Sequence, residues 1–293
     1  MTEERNKTEK GALYLVATPI GNLDDITYRA VKVLSECDFV AAEDTRVTAK
    51  LLSHLEISKP VVIYQKFNLK EAGGKIAERL KNGETCALVT DAGTPGISDP
   101  GQDIAKLCIL SGIKVIPVPG ACALINALIG SGMNTDRFLF EGFIGSKKSE
   151  AKKRLEAISA ETATVILYEA PHRLVQTLEA INEVFGGDRE LVLCRELTKL
   201  NEEFIRTTAA EALALYSENE PRGEYVIVIE GASSEGDEFW TNLSIEQHVS
   251  YYVEKMNLSK MDAIKQTAKD RRVPKKEIYR SILDSEENGG GIS

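Results

Sequence analysis

Residues able to do chemistry crowd into one stretch, Ala87 to Pro100, which reads ALVTDAGTPGISDP. Asp91, Thr94, Ser98 and Asp99 bring carboxylates and hydroxyls. Gly93 and Gly96 tolerate positive φ and let backbone N–H groups approach a ligand closely, and Pro95 and Pro100 hold the chain in shape without a ladder. Such a loop suits a ligand held by main-chain groups and short side chains; the plainer alternative is a turn in which Asp91 and Ser98 act only as caps. Common nucleotide signatures are absent. There is no G-x-x-x-x-G-K-[ST] phosphate loop, and Gly21 lacks the neighbouring glycines of a dinucleotide fingerprint. The five cysteines (Cys37, Cys86, Cys108, Cys122, Cys194) are scattered without paired metal-ligand spacing, and only His54, His172 and His248 accompany them, so buried free thiols and no metal site are expected.

The apolar run around Val89 reads as a buried strand, which puts the loop at a strand's carboxyl end, where open parallel sheets bind ligands. From Ala12 to Pro119, strand-like runs (13–17, 39–42, 61–64, 86–90, 114–118) alternate with helical patterns (28–36, 48–54, 74–82), which predicts a parallel α/β domain over 12–119. Three of its strands open into polar loops, ATPIGNLDDIT, AEDTR and the glycine-proline loop, which should converge on one edge. A helix from Cys122 to Ile129 and strands at 138–143, 163–168, 190–195, 203–207 and 225–230 form a second α/β domain over 120–232, with strands close enough together for a mixed sheet. A cleft between two such domains is a usual small-molecule site. After a polar linker over 233–243, residues 244–284 read as three short helices. Ser244 with Gln247 makes a capping box, Ile245, His248, Val249, Tyr252, Val253 and Met256 share a face, Ser259 with Asp262 starts the second helix, and Pro274 starts the third. Residues 1–11 and 285–293 are expected to be flexible or disordered tails.

At 293 residues, 43% hydrophobic and 28% charged, the chain has the composition of a globular protein of two or three domains. No run approaches the roughly 18 apolar residues of a membrane span, and the start, MTEERNKTEK, is too polar for a secretory signal, so the expected location is the cytoplasm. A net charge of −9 argues against nucleic acid until its distribution is considered. Tyr252 to Arg280 holds nine Lys or Arg against four acids, a local +5 that leaves −14 on the remainder. An acidic body with a basic helical appendage suggests a small nucleic-acid-binding bundle; the alternative is a solvated cap on the second domain.

Seven stretches in order, ATPIGNLDDIT (17–27), AAEDTR (41–46), TDAGTPGISDPG (90–101), YEAPHR (168–173), RELTK (195–199), EEFIR (202–206) and GEYVIV (223–228), resemble the motifs of the bacterial ribosomal RNA small-subunit methyltransferase I family, within the tetrapyrrole methylase superfamily of class III methyltransferases. The likeness runs from about Gly11 to Gly231 and extends to AIKQTAKDRRVPKKEIY in the tail. It implies two α/β domains of the tetrapyrrole methylase type with a cleft between them, plus a small C-terminal helical domain. It also implies S-adenosylmethionine-dependent methylation of the ribose 2′-hydroxyl of a cytidine in the decoding region of 16S ribosomal RNA, with the small ribosomal subunit or its RNA as partner and a homodimer as the common state. The sequence departs from the family pattern at Tyr64–Asn68, at Gly145 and Ser146, and at Asn201.

Carried onto matching positions, the superfamily's cofactor contacts fall on Asp91, Gly93, Thr94, Cys122, Ala123, Tyr168, Ala170, Leu197 and Gly223. A ribose hydroxyl is a poor nucleophile, so a proton acceptor or a nearby cation should assist it. Glu43, Asp44, His172 and Lys199 are the candidates taken forward, with capping by Glu43 and Asp44 and a helix-start role for His172 as the alternatives. Arg46, Lys147, Lys148, Lys152, Lys153 and Arg173, with Lys269, Arg271, Arg272, Lys275 and Lys276 in the tail, are candidates for RNA phosphates. Competing readings are a superfamily methylase acting on a tetrapyrrole or a protein side chain, and a non-catalytic ribosome-binding module.

Overall fold

The computed structural model describes residues 7–145, 147–232, 240 and 243–288, with 283–288 described by backbone alone. The chain divides into two compact units, one ending at Ala232 and one beginning after it. Both expected α/β domains therefore lie inside a single unit.

Its first sheet is built from β1 (Leu13–Val16), β2 (Phe39–Ala42), β3 (Val61–Ile63), β4 (Cys86–Val89) and β5 (Val115–Val118), all parallel, in the order β3-β2-β4-β1-β5. Helices α1 (Tyr28–Glu36), α2 (Thr45–His54), α3 (Leu69–Lys81) and α4 (Gly101–Leu110) cover both faces. Strand residues alternate between them. Tyr14, Val16, Val40, Ala42, Ala87 and Val89 pack with Ala30, Val33 and Leu34 of α1 and Leu52 of α2. Leu13, Phe39, Ala41, Cys86 and Leu88 pack with α3 and α4 on the other side. Burial on both faces is why these strands are continuous apolar runs rather than alternating ones. From β1 the chain crosses to β2 on one side of the β4–β1 pair, and from β4 it crosses to β5 on the other. The loops after β1 and β4 thus leave neighbouring strands in opposite directions, and a crevice opens between them.

The second sheet holds β6 (Phe138–Gly142), β7 (Thr164–Glu169), β8 (Glu190–Arg195), β9 (Glu203–Thr208) and β10 (Tyr225–Ile229) in the order β6-β7-β10-β8-β9. Only β6 and β7 are parallel, so the sheet is mixed. Leu124, Ala127 and Leu128 of α5 (Ala123–Ser131) cover one face. Against the other lie α6 (Lys148–Ala157), α7 (Pro171–Phe185) and α8 (Ala209–Glu218). Proline opens α7 at a first-turn position, and Thr208 with Glu211 closes a capping box on α8.

Helix boundaries depart from expectation where local signals mislead. The expected helical pattern starts at Gly74, yet α3 starts at Leu69 and runs through Gly73, where an added side chain would meet Leu107 of α4 at 3.2 Å. Likewise α2 begins at Thr45, capped by Asp44, rather than at Thr48. The end of the expected N-terminal tail is pinned: Thr8 donates to Glu36 and Glu9 pairs with Lys114 at 2.6 Å.

In the second unit, α9 (Ile245–Lys255), α10 (Lys260–Asp270) and α11 (Lys275–Asn288) pack around Val249, Ala263, Ile264, Ala268, Ile278 and Ile282. Ser244 caps α9 in a full capping box and Ser259 caps α10. The expected face of α9 is narrower than its sequence suggests: Ile245, Val249 and Tyr252 join the core and His248 is buried, whereas Val253 and Met256, the latter just past the helix end at Lys255, are exposed. Helix α11 continues to Asn288, into the span expected as a C-terminal tail. Trp240 and Leu243 apart, the linker over 233–243 lies outside the described residues, as do 1–6 and 289–293 of the two tails. Among the described residues no helix is long and apolar enough to cross a membrane.

Candidate functional site

The crevice between the β1 and β4 loops opens into a cavity of about 530 Å³. One wall is the loop after β4. Asp99 organises it: the carboxylate accepts N–H groups of Gly96 at 2.8 Å, Ile97 at 3.2 Å and Gly101 at 2.7 Å. The loop is tied to the β1 loop by paired bonds, Thr18 N–H to Gly93 O at 2.9 Å and Gly93 N–H to Thr18 O at 3.0 Å. It is tied to the entry of α5 by Thr94, whose hydroxyl donates to Ala121 O at 3.0 Å. Gly93 at φ +86°, Gly96 at +91° and Ser98 at +67° all occupy the left-handed region. The side chain-free position at 93 keeps this backbone open to the cavity.

The opposite wall comes from the second sheet and α5. Tyr168, at the end of β7, accepts the Leu124 N–H on its hydroxyl at 3.2 Å and meets the edges of Phe140 and Phe143. Burial, then the neighbouring Cys122 thiol, raises the Tyr168 hydroxyl to about 12, so it stays neutral. Glu169, almost fully buried, accepts from the Ala170 N–H at 2.8 Å, Arg173 Nε at 2.9 Å and Thr177 Oγ1 at 2.5 Å. The lining contains five carboxylates, Glu43, Asp91, Asp99, Glu169 and Glu224, and no lysine or arginine. Burial, followed by the charges of Asp91 and Asp99, holds the Glu43 carboxyl above the usual carboxylate range. A cation or a set of hydrogen-bond donors is the ligand chemistry that this lining favours. Among the described residues no group of three or more His, Cys, Asp or Glu is arranged to hold a metal ion.

Eight expected cofactor contacts line the cavity: Asp91, Gly93, Thr94, Cys122, Ala123, Tyr168, Ala170 and Leu197. Gly223 does not; at φ +86° it packs on Glu196, which a Cβ there would meet at 2.6 Å, while its successors Glu224 and Tyr225 reach the lining. Of the expected catalytic groups, Glu43 and an exposed His172 border the cavity. Asp44 does not. It caps α2 and is paired with Arg46, whose hydrogen bonds bring its carboxyl down to about 2. Lys199 also lies outside the lining, bridging Glu196 and Glu224 at 2.9 Å each. Burial works against its charge, but the two carboxylates prevail and its pKa is raised.

The expected phosphate contacts divide in the same way. Lys148 and Lys152 are paired with Glu179 and Glu183, fastening α6 to α7, whereas Lys147 and Lys153 are exposed. Arg46 is paired yet its side chain remains 87% exposed, and Arg173 is pinned to Glu169. In the C-terminal unit Arg271 donates to His248 Nδ1 at 3.2 Å and to the carbonyls of Trp240, Leu243 and Ser244, a clamp on the start of α9. Lys269, Arg272, Lys275 and Lys276 lie exposed. Residues that sequence reasoning missed include Glu169, Phe143, Glu224 and Val226. Glu169 could have been found as the carboxylate beside Tyr168 in YEAPHR; Phe143 carries no local signal beyond ending an apolar strand.

A family model for tetrapyrrole (corrin/porphyrin) methylases matches residues 12–213. A relative from Bacillus subtilis (strain 168) named ribosomal RNA small subunit methyltransferase I is 48% identical over 277 residues, 93% of this chain and 94% of the relative. One of the same name from Synechocystis is 44% identical over 279 residues, 95% of this chain and 100% of the relative. Among solved structures, uroporphyrin-III-C-methyltransferase from Thermus thermophilus has a TM-score of 0.54 at 20% identity, covering 75% of this chain and 94% of its own. A diphthine synthase has a TM-score of 0.59 at 18% identity, covering 78% and 93%. These two likenesses speak to the fold.

Proposed function

Because the chain belongs to the tetrapyrrole methylases and, within them, to the ribosomal RNA small subunit methyltransferase I family, we propose that it methylates the ribose 2′-hydroxyl of a cytidine in the decoding region of small-subunit ribosomal RNA. At the coarser level it is a S-adenosylmethionine-dependent ribosomal RNA methyltransferase. The observation that carries the reading is the carboxylate-lined cavity at the carboxyl end of β4, in a chain matched by its relatives over almost its whole length.

The residues present fit the cofactor. Its sulfonium and ammonium groups are cationic, and the lining offers Glu43, Asp91 and Asp99 beside the Glu169 and Glu224 that Arg173 and Lys199 already pair. A Cβ at Gly93 would stand 3.2 Å from Ile20 and 3.6 Å from Ala121 O, so the loop leaves just the space that close backbone approach requires. Asp91, Gly93 and Thr94 would hold it from one side, and Cys122, Ala123, Tyr168, Ala170 and Leu197 from the other. When bound, S-adenosylmethionine supplies an activated methyl group. Glu43, held above the usual carboxylate range, is the group we assign to take the proton from the ribose hydroxyl. His172, exposed beside the cavity, is the second candidate. Arg46, Lys147, Lys153 and the exposed tail cations Lys269, Arg272, Lys275 and Lys276 receive RNA phosphates in this reading. The small ribosomal subunit or its RNA is the partner, the cytoplasm the location and a homodimer the working state.

Mass mapping of ribose methylation in small-subunit RNA from cells with and without the protein tests the assignment. Loss of one 2′-O-methyl group on a decoding-region cytidine is expected; an unchanged map rejects it.

A further inference from the structure

We propose that Phe143 is the platform on which the base of the substrate nucleotide stacks at the mouth of the cavity, and that Arg173, aimed by the buried Glu169, grips the same nucleotide's phosphate. This rests on the ribosomal RNA reading and names how that site receives its nucleotide.

Phe143 follows β6 directly, borders the cavity and is 45% exposed. Leaving so large an apolar ring partly in water forgoes nearly half of the roughly 1.5–3 kcal/mol that its full burial could bring. Its surroundings suit an aromatic ligand. One edge rests against Tyr168, with ring centroids 5.7 Å apart and planes at 63°. The Arg173 guanidinium lies over one face of the ring, 5.5 Å from its centroid, so the base is assigned to the opposite face. That guanidinium is oriented in advance: Glu169, with a side chain 1% exposed and further held by Thr177 and the Ala170 N–H, takes Arg173 Nε. A guanidinium fixed through Nε presents its remaining N–H groups in a fork suited to phosphate. The opposite lip comes from the first sheet, where Ser98 Oγ would stand 3.2 Å from a Cβ on Gly142 and Ile97 is 38% exposed.

Charge decides which part of the nucleotide goes where. Glu43, Asp91 and Asp99 line the cavity and repel phosphate, whereas Glu169 is already neutralised by Arg173, so the phosphate stays outside, beside Arg173. The base, having a π-face whatever its identity, takes the exposed ring. The ribose between them is then left at the cavity mouth, where its hydroxyl can face inward.

The test compares Phe143→Ala, Phe143→Leu and Phe143→Trp with the unaltered chain, using small ribosomal subunits from cells lacking the protein. For Phe143→Ala, kcat/KM should fall roughly 5- to 150-fold, chiefly through KM for the subunit, the range that base–aromatic stacking supplies. Calorimetric affinity for S-adenosylmethionine should stay unchanged, and the thermal midpoint should fall by only about 2–4 °C, the cost of losing a half-buried ring. Phe143→Trp should restore activity, and Phe143→Leu, apolar but not aromatic, should not. Wild-type kinetics with the leucine variant would overturn the platform, as would a loss of cofactor affinity in step with kcat/KM, which would make Phe143 a cofactor wall. An unaltered chain that leaves the subunits unmethylated would instead reject the ribosomal RNA reading, and this proposal with it.

Discussion

Replacing Gly93 by alanine adds one methyl group at the point where the β4 loop meets the cavity. Gly93 has φ +86°, and an L-residue held in that region costs about 1–2 kcal/mol. The added Cβ would contact Ile20 Cγ2 at 3.2 Å and Ala121 O at 3.6 Å, the first close enough that Ile20, itself a lining residue, must shift by a few tenths of an ångström. Backbone strain therefore dominates the cost to folding. Set against the 5–15 kcal/mol typical of a domain, about 1–2 kcal/mol leaves the protein folded and lowers its midpoint by about 2–8 °C. Binding should suffer more, since Ile20 and Gly93 both line the cavity proposed to hold the cofactor; affinity is expected to fall about tenfold or more. Gly83→Ala is the matched control. Gly83 has a similar φ of +92°, a Cβ there meets nothing within 4 Å, and the residue lies outside the cavity lining. Differential scanning calorimetry should show similar midpoint losses for both variants, and titration calorimetry with S-adenosylmethionine should separate them. Equal cofactor affinity in the two would refute the assignment of this loop.

Glu43→Gln should lower kcat about 100-fold or more while sparing cofactor affinity. Because burial, Asp91 and Asp99 disfavour the Glu43 anion, the acidic limb of the wild-type kcat profile should lie above the ordinary carboxylate pKa and disappear in the glutamine variant; an unmoved limb would assign the proton to another group. Arg271→Ala should destabilise the C-terminal unit by about 1.5–3 kcal/mol, read as faster hydrogen exchange along α9, since the guanidinium satisfies His248 and the carbonyls ahead of that helix. Reversing Lys275 and Lys276 should instead leave exchange unchanged and reduce the log–log salt slope of RNA association by about 0.9 for each duplex phosphate that the protein no longer neutralises. The same unit should weaken in acid. Burial above all lowers the pKa of His248, whose Nδ1 accepts from Arg271, so below about pH 6.5 the unfolded chain takes up a proton that the folded one resists. Thermal unfolding followed through the Trp240 region should show stability falling with acidification from that pH, and His248→Gln should flatten the dependence.

Much of this architecture is set by groups only a few residues apart. Short apolar runs bounded by turn signals become most of the strands, with β9 (EFIRTT) the polar exception at a sheet edge, and the spacing of strands and helices separates a parallel sheet from a mixed one. Ser244 with Gln247 and Ser259 with Asp262 mark α9 and α10 because a cap is a bond between a side chain and an N–H group three residues on. The loop after β4 reads in the sequence as a ligand loop or a capped turn for the same reason, its glycines, prolines and short oxygens being local devices, and the cavity it borders supports our proposal of the former. What local types cannot supply is proximity between distant segments. Sheet order brings Thr18 to Gly93 and sets Glu43 beside Asp91 and Asp99, which raises the pKa of a carboxylate in AEDTR, and the meeting of the two sheets brings Ser98 to Gly142. Tertiary packing also decided which cations are spoken for: Lys148 and Lys152 face acids on α7, Lys199 is held by Glu196 and Glu224, and Arg271 clamps α9, although each reads in sequence as a basic residue open to RNA or substrate. A charge is written into the chain by residue type, but whether it has a partner depends on distances of about 3 Å, which only the folded packing of α6 on α7 and of α10 against α9 determines.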